Sequence, residues 1–131
     1  MIITEQDSLY NNLEKMTFLE IIKSINHEDQ KIAETIKEVT KKISLLSKKV
    51  FEKIYTGGRL FYIGSGTSGR LGILDASECP PTFGVKNNIV IGLIAGGDKA
   101  IRNATEHAED NLESGWKDLK KYNLTNKDIV I

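Results

Sequence analysis

The sequence predicts an α/β protein in which N-terminal helices precede a parallel βαβαβ sheet with helices on both faces, a three-layer arrangement. Three observations lead there. Up to Gly57-Gly58 the chain is made of long charged amphipathic segments without proline, and beyond it short β-branched runs alternate with glycine-rich turns. Apolar runs at residues 60–63, 89–94 and 128–131 lack the in/out alternation of a half-exposed strand, as parallel strands covered on both faces do. Segments of helical character, residues 67–79 and 98 to about 122, separate these runs, which implies parallel pairing through right-handed crossovers.

The 131 residues suit one modest domain, divided here into a helical segment, 1–56, and a sheet-forming part, 57–131. Thr17 and Glu20 stand at capping-box spacing, and Phe18, Ile21, Ile22 and Ile25 follow at helical intervals, so a short first helix is expected. A second, longer helix from about Glu28 carries Ile32, Ile36, Val39, Ile43, Leu46 and Val50 at steps of four and three. That narrow stripe fits either its own sheet or a partner helix. Gly57 and Gly58 supply a left-handed stop. Pro80-Pro81 is expected to end the helix after the first strand, and Asp98 to cap the next one. The third strand has only begun at Ile131, so the chain is expected to be the front part of a longer protein or to pair with another chain.

Composition excludes several functions. Eighteen basic residues balance eighteen acidic ones, which removes the general field that draws nucleic acid or an anionic membrane. Cys79 is the single cysteine, so there is no intrachain disulfide and no Cys-x-x-Cys pair, and no zinc spacing is present. His27 and His107 lack metal-ligand partners at suitable spacing and read as surface or structural residues; no metal and no cofactor are expected. Residues 1–15 are polar and acidic, unlike a signal peptide, and the longest apolar run, 89–95, falls far below the ~20 residues that span a bilayer. A soluble, cytoplasmic protein is expected.

The candidate site starts at the loop Gly64, Ser65, Gly66, Thr67, Ser68, Gly69, which joins the first strand to the next helix. Ligands of α/β sheets bind at the carboxyl ends of strands, where a helix N-terminus offers free N–H groups and a positive dipole end. Glycines admit an anion close to the backbone, and three hydroxyls add donors; this composition reads as a phosphate cradle. The same residues satisfy G-x-G-x-x-G, yet the second strand ends in Ala95-Gly96-Gly97 without the acid that would hold a ribose. A ligand-free glycine turn is the plain structural alternative. A Walker loop is excluded, because no Gly-Lys-Ser/Thr follows.

Two glutamates are singled out. Glu78 lies seven residues after Leu71 and hence on nearly the same helix face, which places a carboxylate near an apolar side; it either works there or reaches water at the helix end. Glu109 flanks a stripe of Ile101, Ala104, Ala108 and Leu112 and either leans over the sheet edge or is one more solvated charge. Trp116 is expected in the core. Arg70 has two readings, phosphate contact or solvation.

The string GGRLFYIGSGTSGRLGILDASECPPTFGV (residues 57–85) closely resembles the signature of the N-acetylmuramic acid 6-phosphate etherase family, whose fold is the flavodoxin-like sugar isomerase (SIS) domain shared with the glucokinase regulatory protein. Residues 92–97, Ala108-Glu-Asp110, Thr4-Glu-Gln6 and Ile25-Asn-His-Glu-Asp29 fit the same pattern. The likeness runs from Thr4 to Ile131 and covers roughly the first half of the family's chain; residues 75–85 are its most specific part. It implies cleavage of the D-lactyl ether of N-acetylmuramic acid 6-phosphate, by elimination and hydration without metal or cofactor, in the recycling of cell-wall sugars. Glu78 then protonates the departing lactyl oxygen and Glu109 removes the proton beside the aldehyde of the opened sugar. It further implies a homodimer with the site at its interface. A non-catalytic sugar-phosphate-binding regulator, an aldose–ketose isomerase on this fold, and an inactive fragment of the etherase are the competing readings.

Overall fold

The computed structural model describes residues 7–105, 108 and 113–131. The chain divides into two compact units, Met1–Ser44 and Leu45–Ile131. The elements run α1 (Phe18–Tyr55), β1 (Leu60–Gly64), α2 (Gly66–Phe83), β2 (Val90–Ile94), α3 (Asp98–Arg102), α4 (Ser114–Lys120) and β3 (Ile129–Val130), after a short 3-10 turn at Leu13–Lys15.

In the first unit the expected capping box is present. The Thr17 backbone N–H donates to the Glu20 carboxylate at 2.7 Å, and the Glu20 N–H donates to the Thr17 hydroxyl at 3.3 Å. The two helices expected from the sequence are one helix of 38 residues. No glycine or proline lies between Phe18 and Tyr55, so the weak helix formers around Asn26 and Asp29 lower propensity without breaking the hydrogen-bond ladder. No residue of α1 is buried, and the stripe residues Ile32 and Ile36 are 61% and 49% exposed.

The second unit holds the sheet. The order is β2-β1-β3, all parallel, with Leu60 opposite Val90 and Ile129. Side-chain contacts place helices on both faces. A Cβ on Gly72 of α2 would lie 2.7 Å from Tyr62, whereas one on Gly115 of α4 would lie 2.8 Å from Ile63, the next residue along β1. Successive strand residues point to opposite faces, so α2 and α4 cover opposite sides and the three-layer expectation is met. Phe61 is fully buried, edge-on to Tyr122 at 5.4 Å, and the other buried apolar residues are Leu60, Val90, Ile94, Ala100 and Leu119 among the described residues.

Several expected boundaries move. Helix α2 runs through Pro80 and Pro81, whose fixed φ suits a helix, and stops at Gly84, a left-handed residue whose N–H bonds the Pro80 carbonyl at 2.9 Å. The single helix expected over 98–122 is interrupted: among the described residues α3 ends where Asn103 turns extended, and α4 starts at Ser114. The N-cap of α3 is Gly97, with Asp98 inside the first turn. Trp116 is 57% exposed, its ring beneath the Lys120 ammonium at 5.5 Å, and does not join the core.

Candidate functional site

The chain leaves β1 for β2 on one side and returns from β2 past β1 to β3 on the other. The carboxyl end of β1 therefore sits where the connections diverge, the position at which parallel α/β sheets leave a crevice for ligands. The Gly64 to Gly69 loop occupies it.

Its glycines divide into two kinds. Gly64 and Gly69 pack back to back: a Cβ on Gly69 would come within 2.6 Å of the Ile94 side chain and 2.8 Å of the Gly64 carbonyl oxygen. They bring the helix start against the sheet. Gly66 instead has φ +51° with nothing within 4 Å of a would-be Cβ, so it is glycine for its backbone angle and faces open space.

The first hydrogen bond of α2 runs from the Gly69 N–H to the Ser65 carbonyl, 3.1 Å. The N–H groups of Gly66, Thr67 and Ser68 precede that ladder, and the Ser65 side chain makes no capping bond to them. Thr67 and Ser68 are exposed. Three oriented backbone donors, two accessible hydroxyls and the positive end of an 18-residue helix thus converge beside an open glycine. An arrangement of this kind is suited to an anion of phosphate size. Arg70 does not supplement it: its Nε donates to the Ile101 carbonyl at 2.9 Å, tying α2 to the end of α3.

Among the described residues, cavities adjoin the loop on two sides. One, about 120 Å³, lies at the carboxyl ends of β1 and β2 and includes Gly64, Ser65, Ala95, Ala108 and Asp118 in its wall. The other, an open groove of about 420 Å³, runs down α2 past Ser68, Leu71, Gly72 and Asp75, with Tyr62, Ile63 and Ile131 on its sheet side. In that groove burial, then a hydrogen bond to Asp75, push the Tyr62 phenol up to about 12. Burial, with the Asp75 charge adding, also raises the Cys79 thiol.

Of the two singled-out glutamates, Glu78 lies on α2 and is exposed. The face it shares with Leu71 is the open face of the helix, Leu71 itself being 59% exposed, so the expectation of an apolar buried side is not met within this chain. Glu109 lies outside the described residues, as do Glu106, His107, Asp110, Leu112 and Thr4-Glu-Gln6; Ala104, from the expected stripe, is exposed. Tyr62 and Asp75 were missed in the sequence, although Ser68 and Asp75 repeat the seven-residue spacing of Leu71 and Glu78. Among the described residues no group of three or more His, Cys, Asp or Glu side chains could hold a metal ion, and no helix is long and apolar enough to cross a membrane.

Comparison with known proteins gives a consistent picture. The family described as glucokinase regulatory protein N-terminal SIS domain matches residues 26–131. An N-acetylmuramic acid 6-phosphate etherase of Christiangramia forsetii is 56% identical over 98% of this chain and 47% of its own. Proteins of the same name from Porphyromonas gingivalis and Actinobacillus pleuropneumoniae are 53% and 46% identical over 98% of this chain, covering 47% and 43% of theirs. The chain spans about half the length of the curated relatives it matches.

Proposed function

Since the chain belongs to the family of the glucokinase regulatory protein N-terminal SIS domain, we propose that it forms the sugar-phosphate-binding half of an etherase that cleaves the D-lactyl ether of N-acetylmuramic acid 6-phosphate. The observation that supports this reading most directly is the uncapped start of α2, with Gly66 open to solvent at the crevice of the sheet. A monoester phosphate docks there through the N–H groups of Gly66, Thr67 and Ser68 and the hydroxyls of Thr67 and Ser68, flanked by Gly64, Ser65 and Gly69.

In the reaction, Glu109 takes the proton from the carbon beside the aldehyde of the opened sugar. The electron pair left behind forms the double bond as the carbon–oxygen bond to lactate breaks, and Glu78 gives that oxygen its proton. Water then adds across the double bond, yielding N-acetylglucosamine 6-phosphate and D-lactate with no change of oxidation state overall. Lactate leaves poorly as an alkoxide, so acid and base each contribute about a hundred- to ten-thousandfold. The exposure of Glu78 suits a residue that meets substrate carried by another surface. Thr67 and Glu78 are eleven residues apart on one continuous helix, about 16 Å of rise. Three carbon–carbon bonds and a phosphate ester, a shorter span, separate the phosphorus of the substrate from its ether carbon. That mismatch favours a homodimer in which Glu78 of one copy serves sugar whose phosphate is held by the other. The setting is cytoplasmic recycling of cell-wall amino sugars.

The family match itself favours a second reading, a regulator that binds a sugar phosphate without turning it over. One experiment separates them: the purified chain is offered N-acetylmuramic acid 6-phosphate, and binding and D-lactate release are both followed. Lactate release, abolished in Glu78→Gln and Glu109→Gln while binding persists, is the expected result. Binding without lactate favours the regulator, and full turnover in either variant sinks the assignment of that glutamate. No binding of any sugar phosphate sinks both readings.

A further inference from the structure

The groove that descends from the phosphate loop contains a polar pair that the etherase reaction leaves unused. We propose that Asp75, backed by the Tyr62 phenol, is a positioning residue that accepts hydrogen bonds from the end of the sugar remote from its phosphate. This rests on the reading of the α2 start as the phosphate site.

Three features carry it. The first is register: Ser68 and Asp75 are seven residues apart, hence on one face of α2, and both line the same groove of about 420 Å³. Their separation along the axis is about 10 Å, within reach of a hexose 6-phosphate whose phosphate sits at the helix start and whose far end lies alongside the next two turns. The second is chemistry. An ionised carboxylate offers about four acceptor sites and no donor. The Tyr62 phenol interacts with it electrostatically, and none of the ion pairs among the described residues involves Asp75. Acceptors therefore face a groove that a sugar would enter with hydroxyl and amide N–H donors. The third is rigidity. Gly72, with no side chain, lets the Tyr62 ring lie against α2, one turn before Asp75. The phenol is protonated throughout the physiological range, and burial, with Asp75 adding, pushes its pKa further up to about 12.

The two ends of the groove thus have opposite preferences, N–H donors for an anion above and a carboxylate for neutral donors below. The pair fixes the direction in which a sugar phosphate lies along α2, and it rejects a ligand with anions at both ends.

The test is calorimetric titration of the chain with inorganic phosphate and with N-acetylglucosamine 6-phosphate. The parent is expected to bind the sugar phosphate more tightly than phosphate alone. Asp75→Ala, an exposed helical position where alanine is well tolerated, is expected to weaken the sugar phosphate about 10- to 100-fold, the worth of hydrogen bonds to a charged acceptor, and to leave inorganic phosphate unchanged. Tyr62→Phe, which keeps the ring, is expected to give a smaller loss with the same selectivity. Equal weakening of both ligands means that Asp75 only supports the helix, and no change in either means that it touches nothing; each result overturns the proposal. A parent that binds the two ligands equally overturns it while leaving the phosphate site standing, and a parent that binds neither removes both.

Discussion

The two ends of β1 solve opposite problems. At the amino end, Arg59 and Asp128 join β1 to the start of β3 and leave almost nothing unsatisfied. The Asp128 carboxylate accepts Arg59 Nε at 3.1 Å, Nη2 at 2.9 Å and the Arg59 backbone N–H at 2.9 Å. It also accepts the Thr125 backbone N–H at 2.9 Å and hydroxyl at 3.2 Å, and its side chain is 4% exposed. At the carboxyl end, four residues along the strand, the helix-start N–H groups are uncapped and open. A protein that closes one end of its central strand with saturated donors and acceptors can leave the other end under-satisfied, because the strand no longer depends on it for its position. On the proposed function, stability and binding then fall to different ends, which makes them separable by mutation.

The largest expected effect is at the clasp. Asp128→Asn leaves the Arg59 cation with its main partner neutralised in a partly buried setting, and a loss of about 3 kcal/mol is expected, the lower end for broken buried pairs because Arg59 is partly solvated. Urea unfolding measures it, and phosphate affinity per folded molecule should be unaltered. The dependence on pH sharpens the test. The Arg59 guanidinium, with the backbone N–H groups, holds the Asp128 carboxyl well below the ordinary range. A folded-state value below the unfolded one, about 3.9, means that the stabilisation is fully present above that pH and is lost as pH falls toward the folded value. The gap between parent and variant should be widest above about pH 4 and close under acid. A gap that widens in acid would contradict the assignment of the clasp to the ionised carboxylate.

Next in size is Gly66→Ala at the open end. The substituent meets no atom, but it must adopt φ +51°, which costs roughly 1–2 kcal/mol for a residue with a Cβ. Unlike the clasp variant, it should also lower phosphate affinity, since the methyl group enters the space through which an anion approaches. Loss of stability with unchanged affinity would separate Gly66 from the binding surface.

How much of this was legible in the sequence follows from the range over which each feature is determined. The three strands were visible because continuous apolar runs such as Leu60 to Ile63 demand cover on both faces. The glycine loop between β1 and α2, the proposed phosphate site, was visible because its glycines and hydroxyls are contiguous. Helix ends were less so: Pro80-Pro81 was read as a stop, yet proline removes a donor without forbidding helical φ, and the stop is Gly84. A short helix from Phe18 and a longer one from about Glu28 were expected, yet no glycine or proline separates them, and the chain runs on as one helix. The clasp was invisible, since Arg59 and Asp128 stand 69 residues apart and meet only through parallel register. Tyr62 and Asp75 were hidden for a related reason: their pairing depends on how closely α2 lies on β1, which Gly72 permits but does not announce.

The smallest expected effect is the one that best isolates the open end. Ser68→Ala removes an exposed hydroxyl from the first turn of α2, keeps the backbone N–H, and introduces a better helix former, so stability should hold or rise slightly. If the hydroxyl donates to a bound phosphate, its loss should reduce affinity by about 0.5–1.5 kcal/mol, roughly 2- to 12-fold, with the hydrogen bond traded for water. The backbone donors and helix dipole persist, so binding should weaken and not vanish. Titration of the variant with inorganic phosphate reads this directly. Abolished binding would mean that the side chain and not the backbone forms the anion site, and unchanged binding would place the phosphate on the Gly66 and Thr67 side of the turn, away from the groove that holds Asp75.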